Sequence, residues 1–309
     1  MTGMNNRKKY ITLGLAMSAS VAFAQHPLIE KVTHSNPMTL PVQDEDIEWQ
    51  RIVYREIAID DASNAGLFCT TNRDCLFSHI FKMVVNGTIN AYNYRLNDDV
   101  VISEENRIDM ETMLKDFHID YLKAGDSILV SNEDIPAADV RAFYVKESNY
   151  YDIRNSSFRS RCLAICPVLF LQEDFSEEVE TKYPMFWVTY KDLEPKLRDV
   201  MVFGDAYNTS SMMSANEFFS AKFYKGKIYK VFDMRGRALQ EYCGDSASLY
   251  NEQQKIEKEL VDVRQKVYNT VTKHEPVVVE QENSETDTVR RPSIWTNIKG
   301  LFKKNRKQD

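Results

Sequence analysis

The side chains able to act as acids, bases, nucleophiles or metal ligands are scattered along this 309-residue sequence. The five histidines are His26, His34, His79, His118 and His274. They form no metal-binding pattern such as HExxH, and the sequence contains no GxSxG, GxGxxG, phosphate-loop or CxxC pattern. The acidic pairs Asp98-Asp99 and Glu177-Glu178 fall in expected loops, where charged side chains are usually solvated. The sequence therefore predicts no catalytic residue, cofactor or metal, and an active site would have to assemble from distant residues.

Five cysteines remain, and their spacing limits how they can pair. Cys69 and Cys75 flank a short polar loop and are placed to bridge each other. Cys162 and Cys166 lie four residues apart in an expected strand, on the same face and about 13 Å apart, which is too far for a mutual disulfide. A role as small buried hydrophobic side chains is the favoured interpretation of both pairs. The odd total leaves at least one thiol free or bonded to another chain.

Residues 1–24 have the three parts of a secretory signal peptide. Arg7-Lys8-Lys9 is the positive region, Tyr10–Val21 the apolar region, and Ala22-Phe23-Ala24 the small-residue cleavage site. The alternative, an uncleaved anchor, is disfavoured because the apolar run is too short to span a bilayer comfortably. No cysteine follows the cleavage site, so the chain is not expected to be a lipoprotein. We expect an exported, soluble protein in a compartment where disulfides persist.

Charge is distributed unevenly along the chain. The whole sequence has a formal net charge of −7. The leader contributes three basic residues, and residues 290–309 contribute seven basic residues and one acid. Residues 25–289 therefore carry −16, the remainder after +3 and +6 are removed from −7. A body this acidic is expected to repel nucleic acid and anionic lipid.

The two ends outside the expected core, residues 49–274, have different compositions. Residues 25–48 are interrupted by prolines and predict an extended N-terminal arm, and residues 275–289 predict an acidic linker. Residues 290–309 predict a basic amphipathic tail. This tail would either lie on an anionic membrane, dock on an acidic body of the same kind or remain a disordered cationic end. Its apolar face and adjacent basic residues are the candidate contact residues, namely Trp295, Ile298, Leu301, Phe302, Lys303 and Lys304.

Four segments have helical periodicity or capping residues. Asp74–Asn86 begins at a capping aspartate and ends at Asn86-Gly87. Ser103–Phe117 is expected to be one helix that begins at Ser103. Ser214–Glu217 is a capping box, and its helix is expected to turn Phe218, Phe219 and Phe223 toward the core. Ser248–His274 carries an apolar stripe close to a heptad repeat, which predicts either packing on its own domain, the favoured interpretation, or a subunit contact.

Three further expectations concern the remaining segments. Tyr190–Asn208 is expected to be an irregular connection. The lysines after the capping box, Lys222, Lys225, Lys227 and Lys230, are interpreted as a solvated or partner-facing surface. Arg51 and Arg55 are expected either to meet a partner or to pair with the neighbouring acids Glu48 and Glu56.

The segment Phe158–Tyr190 is the expected centre of the fold. Two apolar runs rich in β-branched and aromatic residues flank the polar stretch Gln172–Tyr183, which predicts two strands in a long hairpin. Pro167 is expected to mark an edge, a bulge or a strand end. Further strands are expected at 88–94, 126–130 and 140–150, while Trp49–Ile59 fits either a strand or a short helix. The predicted fold class is α+β, with an antiparallel or mixed sheet around 158–190, packed helices, a long C-terminal helix and flexible termini.

Several motifs in the core resemble one protein family. Arg161-Cys162-Leu163-Ala164-Ile165-Cys166-Pro167-Val168, followed by Pro184-Met185-Phe186-Trp187-Val188-Thr189-Tyr190, is similar to the gliding-motility GldN family, also called PorN. The resemblance extends to Trp49–Ile59, Asn86–Tyr92 and Asn216–Phe223 and covers roughly residues 49–270. None of these motifs is a catalytic signature.

The resemblance implies a non-enzymatic part of the type IX secretion and gliding machinery. It implies a periplasmic protein that forms a ring with an outer-membrane lipoprotein, GldK or PorK, and contacts the inner-membrane motor protein, GldM or PorM. Localisation at the periplasmic side of the outer membrane through that lipoprotein follows from the same resemblance. The alternatives from other classes are a periplasmic hydrolase or small-ligand-binding protein and, less favoured, a nucleic-acid-binding tail.

Overall fold

The computed structural model describes residues 44–69, 74–95, 99–100, 102–125, 127–172, 180–204, 212–233 and 237–272. The strands are β1 (Ile47–Ala58), β2 (Ala91–Asn93), β3 (Leu122–Ala124), β4 (Ser127–Leu129), β5 (Val140–Asp152), β6 (Ser157–Gln172), β7 (Glu180–Pro184), β8 (Phe186–Thr189), β9 (Met201–Phe203), β10 (Met212–Ser214) and β11 (Lys227–Val231). The helices are α1 (Leu76–Val85), α2 (Met110–Asp116), α3 (Tyr190–Leu197), α4 (Ala215–Ser220), α5 (Leu239–Tyr242) and α6 (Ser246–Thr272). Short 3₁₀ helices occupy Asp44–Asp46, Ala62–Leu67 and Glu104–Asn106.

One large antiparallel sheet organises these elements. Its strand order is β11-β1-β5-β6-β8-β2, and β7 also pairs with β6. Two small hairpins, β3–β4 and β9–β10, form separate two-stranded sheets. The α+β class is therefore confirmed, and the described strand pairings are antiparallel.

The long strands β1, β5 and β6 form the middle of the sheet. Their β-branched and aromatic residues suit a pleated, buried surface. A tight turn joins β5 to β6, where the Asp152 carboxylate accepts the Asn155 backbone N–H at 3.0 Å and Ser156 has a φ of 48°. The expected hairpin is confirmed because β7 and β8 both return along β6. Trp49–Ile59 is a strand, which settles the choice that its periodicity left open.

A bulge in β6 changes which face its residues occupy. Lys146 pairs with Ala164 and Glu147 with Cys162, so Leu163 is an extra residue on β6. The extra residue moves the alternation by one position. Cys162 packs in the large core, and Cys166 packs on the opposite side with Ala164 and Val168. The prediction that the two cysteines share a face is therefore wrong, although both are buried as expected.

A second irregularity lies at Pro167. Ile165 pairs with Val188 and Val168 with Pro184, so the partner strand has one extra residue between these pairs. The Pro167 carbonyl accepts the Met185 N–H at 2.9 Å at this break between β7 and β8. A proline fits here because a bulge relieves the need for its missing N–H.

The two sides of the sheet are covered differently. One side carries the largest apolar core, where sheet residues such as Ile57, Phe143 and Ile165 pack with residues of α1, α2, α3 and α4. At one end of the same side, Val53 of β1 and Ile228 of β11 pack against Ile256 and Leu260 of α6. The heptad-like stripe of α6 thus packs on its own domain, which is the favoured interpretation of the sequence.

Several helix boundaries differ from expectation. Residues 103–117 do not form one helix, because the Ile108 N–H donates to the Ala91 carbonyl and interrupts it, and Asp109 caps the shorter α2. Tyr190–Leu197 is a helix capped by Thr189 rather than an irregular connection. The N-cap position of α1 is Cys75 rather than Asp74, whose carboxylate lies 2.8 Å from Nε2 of His79. The Ser214–Glu217 capping box is confirmed, and Phe218 and Phe219 are buried as expected, but Phe223 is exposed.

The expected signal peptide, the arm up to residue 43, the acidic linker and the basic tail lie outside the described residues. Their boundaries therefore stay predictions. Within the described ranges, no helix is long and apolar enough to cross a membrane.

Candidate interaction surfaces

A group of charged side chains, buried at its centre, holds α6 against the sheet. Arg55 of β1 donates from Nε to Glu147 Oε1 of β5 at 3.1 Å, from Nη1 to the Gly226 carbonyl at 2.6 Å, and to the Glu257 carboxylate of α6. Lys222 reaches the other oxygen of Glu147 from Nζ at 2.9 Å. We call Arg55, Glu147, Lys222 and Glu257 the α6 clamp. It joins two strands, the turn after α4 and the long helix.

Two members of the clamp, Arg55 and Glu147, have pKa values that favour their ionised forms despite burial. Burial alone opposes the charge on Arg55, but Glu147 and Glu257 more than offset it and raise the pKa of Arg55. Burial would likewise raise the pKa of Glu147, but Arg55 and Lys222 lower it below its ordinary value. The pKa of Lys222 is lowered by burial. Paired, hydrogen-bonded charges of this kind are the form in which ions are tolerated inside a protein.

The clamp shows that the expected partners of the β1 arginines are wrong. Arg55 pairs with distant acids, and Arg51 reaches Glu259 of α6 at 2.6 Å from Nη1. Glu56 pairs instead with Lys182 of β7 at 2.5 Å. The reason is the strand itself, because successive side chains point to opposite faces and neighbours in sequence do not meet.

A second stripe of α6 faces outward. Tyr250, Val261 and Tyr268 are exposed to 60%, 50% and 67%. Their separations of eleven and seven residues return to nearly the same angle around a helix, so the three side chains share one face. We call them the α6 stripe. It spans about 27 Å along the helix, at 1.5 Å per residue.

The hairpin β9–β10 also presents an apolar face. Met201 and Phe203 alternate with the buried Val202, and Met212 pairs directly with Phe203. Met201, Phe203 and Met212 are exposed to 51%, 40% and 52%. We call these three residues the hairpin face.

The β9–β10 hairpin packs closely against the backbone of the 3₁₀ helix Ala62–Leu67. A Cβ at Gly66 would lie 2.1 Å from the Phe203 carbonyl oxygen, so glycine is required for the 3₁₀ turn to approach β9. Val202 and the half-buried Met213 pack into the large core from the other side of the hairpin. The hairpin face is therefore carried on a fixed element.

The side of the sheet opposite the large core has an aromatic layer that contains buried lysines. Lys146 donates from Nζ to Asp99 Oδ1 at 2.5 Å and lies 5.5 Å from the Tyr54 ring centroid. Lys230 Nζ lies 5.2 Å from the same ring centroid and is also buried. Burial lowers the pKa of Lys146. Lys222 and Lys230 thus do not belong to a solvated basic surface, and that interpretation is wrong for both.

A cleft of about 410 Å³ lies between the end of α1, β2 and the β3–β4 hairpin. Its polar side chains include Asn86, Asn90, Arg107 and Ser127, and its apolar lining includes Ile89 and Met110. Among the residues that the structure describes, no three histidine, cysteine or acidic side chains cluster as metal ligands.

The sequence-predicted contact and bridging residues have different outcomes. The sulfur atoms of Cys69 and Cys75 are joined, with Cα atoms 5.2 Å apart, at the start of α1. Cys162, Cys166 and Cys243 carry free thiols. The six candidate contact residues of the tail, residues 295–304, lie outside the described part of the chain.

The fold and these surfaces define an α+β protein in which α6 and the β9–β10 hairpin expose apolar side chains. A protein-family model described as "Gliding motility associated protein GldN" matches residues 42–269. The match runs from the start of β1 almost to the end of α6, so the chain belongs to the GldN family. It is therefore a component of the gliding-motility and type IX secretion machinery. No curated protein matches the chain.

Proposed function

We propose that this protein is a non-enzymatic building block of a periplasmic ring in the type IX secretion and gliding machinery. It joins copies of itself, an outer-membrane lipoprotein of the GldK or PorK kind, and the inner-membrane motor protein of the GldM or PorM kind. The lipoprotein holds the ring at the periplasmic side of the outer membrane. The chain enters the periplasm through the signal peptide at residues 1–24.

The family match over residues 42–269 carries this proposal, because it covers nearly all of the residues that the structure describes. Two features of the structure support it. The hairpin face groups three large apolar side chains in solvent, an arrangement suited to association, and the α6 stripe exposes three more. The charged side chains of the α6 clamp pair with one another and hold β1, β5 and α6 together, which is a structural role.

The test combines in-cell cross-linking with a deletion. Cross-linked peptides identified by mass spectrometry are expected to join this chain to itself, to the lipoprotein and to the motor protein. Deleting the chain is expected to stop cargo secretion, and expressing the wild-type chain again is expected to restore it. Secretion that continues in the deletion strain, together with turnover of a substrate by the purified chain, would favour the periplasmic hydrolase instead.

A further inference from the structure

We propose that the cleft between α1, β2 and the β3–β4 hairpin holds the N-terminal arm of the same chain. In this arrangement residues 28–33, within the arm stretch 25–43, lie as an extra strand against β4. The cleft offers an open strand edge, an apolar wall and one charged side chain, and the arm has a counterpart for each. The inference goes beyond the proposed function and concerns a single chain.

The strand β4 presents an unpaired edge to the cleft. Its three residues, Ser127, Ile128 and Leu129, all line the cleft, whereas no residue of β3 does. Among the described residues, β4 pairs with β3 alone. Ala124 and Ser127 pair across a two-residue turn, so the N–H and C=O of the next residue, Ile128, point away from β3. An edge of this kind accepts a further strand through backbone hydrogen bonds.

The rest of the cleft selects the chemistry of its occupant. Its apolar wall includes Ile89, Ile108 and Met110, and Arg107 is the only charged side chain among the described lining residues. Arg107 is half-exposed, and its Nη1 lies 3.6 Å from the well-exposed carboxylate of Glu104, beyond hydrogen-bond distance. The guanidinium therefore has donors for another carboxylate. The occupant that fits is an extended, mostly apolar segment with one acidic residue.

The arm contains such a segment. Leu28–Thr33 is rich in apolar and β-branched residues and lies between two prolines, which suits a short strand. Alternate residues of a strand share a face, so Leu28, Glu30 and Val32 point the same way and Lys31 points the other way. Glu30 is the only acidic residue in the stretch 25–43. This order places one carboxylate at the arginine of the cleft, with an apolar side chain on either side.

The distance from the start of the described fold to the cleft follows from the sheet. The arm joins the fold at Asp44, just before β1 and beside the β5–β6 turn. Four strand spacings separate β1 from β2, which is about 19 Å. Along the strands, the step from Ser157 at the turn to Ile165, which is level with Ala91 of β2, adds about 26 Å. The direct separation is therefore about 32 Å.

The length of the arm matches this separation. The eleven residues 33–43 include Pro37 and Pro41 and span about 34 Å in an extended polyproline conformation. Prolines favour this conformation, so the connecting stretch reaches the cleft without excess length. A tethered segment has a high effective concentration at its site and needs only a modest intrinsic affinity.

Cross-linking of the mature full chain, residues 25–309, tests which arm residue meets the arginine. Glu30→Cys is combined with Arg107→Cys in a Cys243→Ser background, because the remaining free thiols, Cys162 and Cys166, are buried. A short bismaleimide, whose spacer replaces the two lost side chains, is expected to join the introduced cysteines within one chain. Peptide mapping identifies the link, and a denaturing gel should show a monomer.

Lys31→Cys with Arg107→Cys is the matched control. It has the same tether and differs by one residue, but its thiol points away from the cleft. It is therefore expected to cross-link about tenfold less efficiently.

Hydrogen exchange tests the added strand independently. Glu30→Arg and Arg107→Glu each place like charges together, so the amides of residues 127–129 should exchange several-fold faster than in wild type. Combining the two changes restores opposite charges and should restore slow exchange. Circular dichroism should show that all three variants keep the wild-type helix content.

The outcomes separate this inference from the proposed function. Equal cross-linking at positions 30 and 31, or unchanged exchange at 127–129 in the charge variants, would overturn the arm assignment. Cross-links that join two chains would overturn the same-chain occupant and assign the cleft to the arm of a neighbouring copy. None of these results bears on cargo secretion or on cross-links to the lipoprotein and motor, which test the ring.

Discussion

Replacing Arg55 with alanine tests the α6 clamp most directly. Arg55 is 5% exposed and Glu147 is fully buried. The variant removes the hydrogen bonds to Glu147, Glu257 and the Gly226 carbonyl, and Lys222 remains as a cation on Glu147 at 2.9 Å. The carboxylate of Glu147 is then buried with fewer compensating donors.

The size of the effect follows from this loss. Removing one partner of a buried ion pair costs about 3–5 kcal/mol, and the retained lysine places this case near the lower end, about 3 kcal/mol. For a domain of this size, about 1 kcal/mol lowers the melting temperature by about 2–4 °C, so we expect a fall of about 6–12 °C. Urea unfolding followed by circular dichroism gives the free energy, and thermal unfolding gives the melting temperature.

Arg141→Ala is the control, because it breaks an ion pair with Glu180 in which both side chains are about 40% exposed. An exposed pair is worth about 0–1 kcal/mol. If Arg55→Ala costs no more than Arg141→Ala, the clamp does not hold the helix and the reasoning fails.

The other predictions concern pH, backbone packing and the cysteines. The pKa of Glu147 is lowered in the folded state, so its contribution to stability is present above the unfolded value of about 4.5 and is lost as pH falls. Glu147→Gln should therefore flatten the fall of unfolding free energy below about pH 4.5, measured by urea titration at each pH. Gly66→Ala should cost about 1–3 kcal/mol because the new Cβ meets the Phe203 carbonyl. Peptide mapping of the unreduced protein should recover Cys69 joined to Cys75.

The pH prediction and the glycine prediction each have a control variant. Thr112→Ser in α2 leaves the clamp intact and keeps the hydroxyl that donates to the Asp109 carboxylate. Its unfolding free energy should therefore fall at low pH as in the wild type. Gly244→Ala adds a Cβ that meets no atom within 4 Å and should change stability by less than about 0.5 kcal/mol. A pH curve that Glu147→Gln leaves unchanged, or equal effects at Gly66 and Gly244, would contradict the corresponding contacts. Separate Cys69 and Cys75 peptides would show that the bridge does not form.

The free cysteines provide a further check on how the protein packs around β6. Cys166 lies in the core and burial raises the pKa of its thiol, so it should resist alkylation until the protein unfolds. Cys162 should behave in the same way because it is also buried. Cys243, which is half-buried, should react first, as measured by mass spectrometry of the native protein. Rapid reaction of all three in the folded state would contradict the packing.

Much of the fold could be predicted from local patterns. The apolar runs around Gln172–Tyr183 predicted the hairpin of β6 with β7 and β8, and the capping box at Ser214 predicted the start of α4. The heptad-like spacing of the apolar residues Ile256, Leu260, Val263 and Val267 predicted a helix with one buried face, and all four are buried. These signals succeed because caps and hydrophobic periodicity act over a few neighbouring residues.

The errors arose where distant residues intervene. One extra residue at Leu163 moves Cys162 and Cys166 to opposite faces of β6. No local feature of the sequence predicts this bulge. The helix expected at 103–117 is interrupted because Ile108 pairs with Ala91 of a neighbouring strand. The helix at Tyr190–Leu197 was missed although Thr189 and Asp192 form a usable capping signal at its start.

The sequence by itself determined the α+β class, the family resemblance and the acidic body, because these depend on composition, on local periodicity and on the order of motifs. Only the tertiary structure decided that Arg55 meets Glu147 and Glu257, residues 92 and 202 positions away in the chain. It also decided that the outward face of α6 and the β9–β10 hairpin leave apolar side chains in water. The physical reason is that long-range pairing and surface exposure depend on how the elements pack, whereas caps and periodicity depend on neighbours along the chain.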